Sequence, residues 1–129
     1  MSPAAPVERS DAAVLGTLYA RNKALALSVG AWLALGRRPA EAPTELRRHL
    51  AECEEAAREG ADGELAEHLT ACRDAAADLA ALVAASGPDG TASSRERIAA
   101  ARASHRRLRR LVWDVFDCEY TPCGHERSN

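Results

Sequence analysis

Aromatic and β-branched residues are scarce in this 129-residue chain, and their scarcity argues against a β-sheet protein. Only 4% of the residues are Phe, Trp or Tyr, and valine and isoleucine are few. Strands are built mainly from these residue types. Alanine, leucine, arginine and glutamate dominate instead, and these are strong helix formers. We therefore expect one all-α domain, since the length is sufficient for a single hydrophobic core.

Long apolar runs and the familiar motifs of enzymes are also missing. No stretch of 18 apolar residues occurs, so we expect no membrane span. Residues 1–11 lack the basic and then apolar order of a signal peptide. There is no glycine-rich phosphate loop, no Gly-x-Ser-x-Gly and no His-Glu-x-x-His. The expectation is a cytoplasmic protein without an evident catalytic activity, whose cysteines are thiols or metal ligands rather than disulfides.

Four amphipathic segments joined by short loops predict an antiparallel four-helix bundle. Within each segment, apolar residues recur every three or four positions. The expected N-terminal caps are Ser10 or Asp11, Thr44, Asp62 and Ser93. The predicted organisation is a flexible arm at residues 1–9, a bundle at residues 10–117 and a Cys- and His-containing tail at residues 118–129.

The pattern Glu-Leu-x-x-His-Leu-x-x-Cys occurs twice, at residues 45–53 and 64–72. Histidine and cysteine are one helical turn apart in each copy, so both can bind one metal ion. In a helical hairpin, His49, Cys53 and Cys72 can converge, with His68 about one turn nearer the loop. The alternative is that the cysteines are small core residues and the histidines lie at the core boundary.

Each copy resembles the His-x-x-x-Cys-x-x-Cys helix of the zinc-dependent anti-sigma domain. His49 and Cys53 match the first two positions, as do His68 and Cys72. The third position is alanine in both copies, and no cysteine precedes residue 53. The resemblance implies zinc as a cofactor, which would have to be shared between the copies or with the tail.

The tail contains a second group of possible metal ligands, Cys118, Cys123 and His125. The fourth helix is expected to end near the hairpin loop, where His68 could complete a zinc site. The alternatives are unengaged thiols or a disulfide between Cys118 and Cys123.

The charges are unevenly distributed along the chain, although the net charge is only −2. Residues 41–78 hold eleven acidic residues and four arginines, whereas residues 95–110 hold seven arginines and one glutamate. The basic stretch lacks aromatic residues for base stacking, which disfavours nucleic-acid binding. We expect instead a small regulatory protein that binds a protein partner or a second copy. The expected interaction residues are Tyr19 and Trp32 on the first helix and Arg102, Arg106, Arg109 and Arg110 on the fourth.

His105 occupies a core position of the fourth helix, where we expect it to hydrogen-bond a carboxylate of the acidic segments. A further alternative for the function follows from this residue: a small enzyme or ligand-binding bundle with a polar pocket around His105.

Four segments in order are similar to those of a family of small all-helical actinobacterial proteins. The segments are LRRHL, HLTACRDAAADL, GPDG and HRRLRRLVWDVFDCEY. That family is associated with natural products and its function is unknown. The resemblance implies a helical fold and a genomic setting, and it implies no reaction.

Overall fold

The computed structural model describes residues 10–35, 42–86 and 95–116, and the regular elements in these ranges are four helices. Their bounds are α1 Asp11–Leu35, α2 Ala42–Glu59, α3 Ala66–Ala85 and α4 Arg95–Phe116. Helices α1 and α3 each pack against the other three, whereas α2 and α4 lie on opposite sides of the bundle. The predicted all-α fold and four-helix bundle are confirmed.

Consecutive helices run in opposite directions, as the positions of their buried residues show. Leu15 near the start of α1 packs in one cluster with Ala57 near the end of α2. Trp32 near the end of α1 packs in a second cluster with Leu46 near the start of α2. Because α3 follows the direction of α1 and α4 that of α2, residues far apart in the sequence meet at the same level of the bundle.

The core consists of two apolar clusters, one at each end of the bundle. The first includes Leu15, Leu18, Tyr19, Cys53, Leu69, Cys72, Ala76, Leu108 and Val112. The second includes Leu25, Val29, Trp32, Leu46, Leu79, Leu82 and Val83. Two polar side chains, Asn22 and His49, are buried at the level between the clusters.

The helix termini agree in part with the expected caps. The hydroxyl of Ser10 accepts a hydrogen bond of 3.1 Å from the backbone N–H of Ala13, so Ser10 caps α1. Helix α2 begins two residues before Thr44, since proline is tolerated in a first turn. Helix α3 begins after Leu65 without a side-chain cap, so Asp62 does not cap it. Ser93 lies outside the described residues.

Tyr19 and Trp32 belong to the core, which corrects the expectation that they form an interaction surface. Their side chains are 0% and 1% exposed. An apolar stripe looks the same in the sequence whether it faces the protein's own core or a partner. The large hydrophobic residues that are exposed in the described part of the chain are Leu27, Leu35 and Trp113.

None of the helices in the described ranges is long and apolar enough to cross a membrane.

Two glycines have very different surroundings. A Cβ atom on Gly60, at the end of α2, would overlap the Cδ1 atom of the buried Leu69 and lie 3.2 Å from the carbonyl oxygen of Ala56. Gly60 therefore permits the close approach of α2 and α3 at the hairpin turn. A Cβ atom on Gly30, within α1, would have no atom within 4 Å.

We predict opposite effects when each glycine is replaced by alanine. Gly60→Ala should lower the free energy of unfolding by about 1–3 kcal/mol, because the added methyl group overpacks a closed contact. Gly30→Ala should raise it by about 0.5–1 kcal/mol, because alanine restricts the unfolded chain without a clash. Urea unfolding followed by circular dichroism measures both. Equal effects of the two substitutions would contradict the packing described at Gly60.

Candidate functional site

Three polar side chains from three helices form one hydrogen-bonded layer between the apolar clusters. The side-chain oxygen of Asn22 in α1 lies 3.1 Å from Nε2 of His49 in α2. The side-chain nitrogen of Asn22 lies 3.0 Å from Nδ1 of His105 in α4. Asn22 and His49 are 2% and 0% exposed, so these hydrogen bonds replace contacts with water that neither group can make. We call Asn22, His49 and His105 the polar layer.

The ring of His105 contacts the side chains of Tyr19 and Asn22. Its ring stacks on that of Tyr19, with 5.5 Å between the ring centroids and 16° between the ring planes. We expected a hydrogen bond between His105 and a carboxylate, and the structure shows that its Nδ1 lies within hydrogen-bond distance of the neutral amide of Asn22.

His49 is neutral at neutral pH. Burial lowers the pKa of His49 from 6.5 to about 4. The guanidinium group of Arg21 also lowers this pKa, and the carboxylate of Glu52 opposes the change. A neutral imidazole has one donor and one acceptor nitrogen, so it can serve a buried hydrogen-bond network in which each proton has a fixed place.

Cys53 and Cys72 are buried thiols inside the first cluster. The sulfur of Cys53 lies 3.7 Å from Nε2 and 3.9 Å from Nδ1 of His49. Burial raises the pKa of Cys53 to about 12, and burial together with the neighbouring Cys53 raises the pKa of Cys72 well above its usual range. Both groups are therefore protonated at neutral pH, whereas the thiolate is the nucleophile and the metal ligand.

The repeated motif does not bring three ligands together within the described residues. No group of three or more His, Cys, Asp or Glu side chains in residues 10–35, 42–86 and 95–116 could hold a metal ion. His49 and Cys53 do lie side by side. In the same part of the chain, the buried Nδ1 atom of His68 has no hydrogen-bond partner.

The tail residues Cys118, Cys123 and His125 lie outside the described residues, and their zinc site stays a prediction. Phe116 at the end of α4 packs on the same cluster as Leu65 at the start of α3. The end of α4 thus returns to the hairpin end of the bundle, which is the geometry that this prediction requires.

A groove of about 220 Å³ opens between α1, α3 and α4 and has the polar layer at one end. Asn22 and His105 line it, as do Arg102 and Arg106. The rest of its lining is apolar and consists of Ala26, Val29, Gly30, Leu33, Leu79, Leu82, Ile98 and Ala101.

Small side chains on facing helices create this space. Ala26 and Gly30 on α1 and Ala101 on α4 line the groove where larger residues would fill it. The groove therefore runs from a polar end along an apolar wall, which is the usual composition of a small-molecule site. The sequence pointed to a pocket around His105. It gave no comparable indication for Asn22, whose only signal was an amide within the apolar stripe of α1.

Of the expected interaction residues on α4, all four arginines are exposed. Arg102 and Arg106 line the groove, and Arg109 and Arg110 lie with Arg106 and Trp113 around a second concave surface of about 310 Å³.

No protein-family model, curated protein or solved structure matches the chain. The resemblances to the anti-sigma domain and to the actinobacterial helical proteins stay predictions. A helical bundle by itself does not indicate a function, because this architecture serves many unrelated activities. The site must therefore be interpreted from its geometry and chemistry.

The lowered pKa of His49 predicts a loss of stability in mild acid. The unfolded chain binds this proton at a pKa of 6.5 and the folded chain only at about 4. Stability from the neutral ring is thus complete above pH 6.5 and falls as the pH decreases to 4. The full loss corresponds to roughly 3 kcal/mol, of which about 2 kcal/mol is lost by pH 5.

The measurement is the free energy of unfolding in urea at pH 7 and pH 5, for the native chain and for His49→Gln. Other titrating groups contribute to both proteins, so the difference between them isolates His49. We expect His49→Gln to lose less stability than the native chain over this range. Parallel losses in the two proteins would contradict a buried, neutral His49.

Proposed function

We propose that this chain is a small ligand-binding protein that holds an amphipathic molecule in the groove between α1, α3 and α4. The observation that carries the proposal is the composition of that groove. Its walls are apolar, and at one end it meets Asn22 and His105, which the buried His49 anchors from behind. Sites for small molecules combine apolar walls with a few fixed polar groups in this way.

The volume limits the size of the ligand. A cavity of 150 Å³ accommodates benzene, and a water-sized group occupies about 30 Å³. The groove of about 220 Å³ thus accommodates about seven methylene-sized groups. At about 0.8 kcal/mol for each buried methylene, the gain is about 6 kcal/mol before the cost of association, which is itself at least about 4 kcal/mol. We therefore expect a simple probe to bind with a dissociation constant of about 1 mM or weaker.

Binding fits the site better than turnover does. The nitrogen Nδ1 of His105 is engaged with Asn22, and the hydroxyl of Ser104 donates to Asp78. The thiols of Cys53 and Cys72 are buried and protonated. An activated nucleophile needs an adjacent base and access to the substrate. We also place the protein in the cytoplasm, because a reducing compartment suits these free thiols.

Titration with 1-octanol tests whether the groove binds an apolar molecule. We expect NMR chemical shifts to change around Ala26 and Ala101 with saturation. Gly30→Leu should weaken binding by about tenfold or more, because its side chain enters the open space above Gly30. Ser28→Leu is the matched control, since Ser28 is exposed on the same helix and does not line the groove. Changes confined to other surfaces, or equal binding by Gly30→Leu, would refute the proposal.

A second candidate function is contact with an acidic protein partner through α4. Trp113 is 46% exposed, and it lies around the second concave surface with three arginines, Arg106, Arg109 and Arg110, and one acidic residue, Asp114. Tryptophan and arginine are the residues most enriched at the energetic centres of protein interfaces. In this proposal the arginines have the role expected from the sequence. The aromatic contact is Trp113, because Tyr19 and Trp32 are buried.

Tryptophan fluorescence tests this second function, because Trp32 is buried and Trp113 is exposed. A glutamate-rich peptide should shift the emission, and the shift should weaken with added salt and disappear in Trp113→Phe. A lysine-rich peptide of the same length is the control. A stronger response to single-stranded DNA than to the acidic peptide would contradict a protein partner and favour nucleic acid.

A further inference from the structure

We infer that the groove selects ligands with a carboxylate head and an apolar tail, because the polar groups that line it are hydrogen-bond donors. This inference rests on the proposed binding function and adds the chemical class of the ligand. It follows from the direction of the hydrogen bonds in the polar layer and from the two arginines of α4.

The Asn22 side chain fixes the direction of the layer, because one end of an amide accepts and the other donates. Its oxygen faces Nε2 of His49 and accepts the proton of that nitrogen. Its nitrogen faces Nδ1 of His105 and donates to it. A neutral His105 that accepts at Nδ1 carries its own proton on Nε2.

The buried thiol of Cys53 lies beside the ring of His49. With its proton on Nε2, the neutral His49 has an acceptor at Nδ1, which lies 3.9 Å from the sulfur of Cys53, and the same sulfur lies 3.7 Å from Nε2. The protonated thiol can donate to this nitrogen. The chain of donors thus runs from His49 through Asn22 to His105, so the acceptors of Asn22 and His105 are already engaged within the layer.

Arg102 and Arg106 add positive charge to the same site. Both are exposed, line the groove and form no ion pair with the part of the chain that the structure describes. Guanidinium groups only donate and stay charged at every physiological pH. No acidic residue is among the described residues that line the groove.

A carboxylate matches this arrangement better than the other common head groups. Both of its oxygens accept, and it can bind arginine through two parallel hydrogen bonds. An amine would place a cation against cations, and an amide or alcohol would gain no charge attraction. The apolar wall then contacts the tail. We therefore expect an aliphatic carboxylate of about six to eight carbons, which matches the roughly seven methylene-sized groups that the groove accommodates.

Octanoate, octanamide and octylamine test this selectivity, because they have apolar chains of similar length and differ in their head groups. The dissociation constants are measured by NMR titration at neutral pH, following the signals around Ala26 and Ala101. We expect octanoate to bind about tenfold more tightly than octanamide, and octylamine to bind most weakly. Arg102→Gln and Arg106→Gln should each weaken octanoate several-fold and leave octanamide unchanged.

Arg95→Gln is the matched control, since it removes the same charge from an exposed position of α4 outside the groove. It should leave octanoate binding unchanged. If octanamide binds in the groove as tightly as octanoate, the selection for carboxylates is overturned and the binding function stands. If none of the three ligands perturbs the groove, the binding function itself fails.

Discussion

The two hydrogen bonds of Asn22 are the constraint on which the arrangement of this bundle depends. A buried amide or imidazole without a partner costs about 1–3 kcal/mol. Asn22 can bond to both His49 and His105 only while α1, α2 and α4 keep their relative positions along the bundle axis. A shift of α1 by one turn, about 5.4 Å, would break both bonds. The polar layer therefore fixes the register of three helices, and it also forms the polar end of the groove.

The periodicity of the sequence was sufficient to predict the four helices and their antiparallel order. It did not predict the polar layer, because it does not say which residues of different helices share a level. Asn22 stood in an apolar stripe, His49 was expected at the core boundary or as a metal ligand, and His105 stood at a core position, yet nothing in the sequence aligned them. The sequence suggested a pocket around His105, but it did not predict the apolar groove that extends from it, for the same reason. The groove arises where Ala26 and Gly30 face Ala101, and the volume between them depends on how α1 and α4 are aligned.

The repeated His-x-x-x-Cys motif shows how one sequence pattern acquires different roles from its surroundings. His49 is fully buried and belongs to the polar layer, whereas His68 lies near the hairpin turn with its Nδ1 atom buried and unbonded within the described residues. Cys53 and Cys72 share one cluster as protonated thiols. The motif therefore describes two arms of a hairpin, and only one of its histidines acquires a polar partner.

The direction of the hydrogen bonds through the polar layer matters most for the groove, because it decides which acceptors of Asn22 and His105 are already engaged. Long-range ¹⁵N–¹H NMR spectra of the histidine rings report it directly at about pH 8, well above the ordinary histidine pKa. We predict that His49 and His105 are both protonated on Nε2. A proton on Nδ1 of His105 would mean that the hydrogen bonds run in the opposite direction and would contradict the prediction.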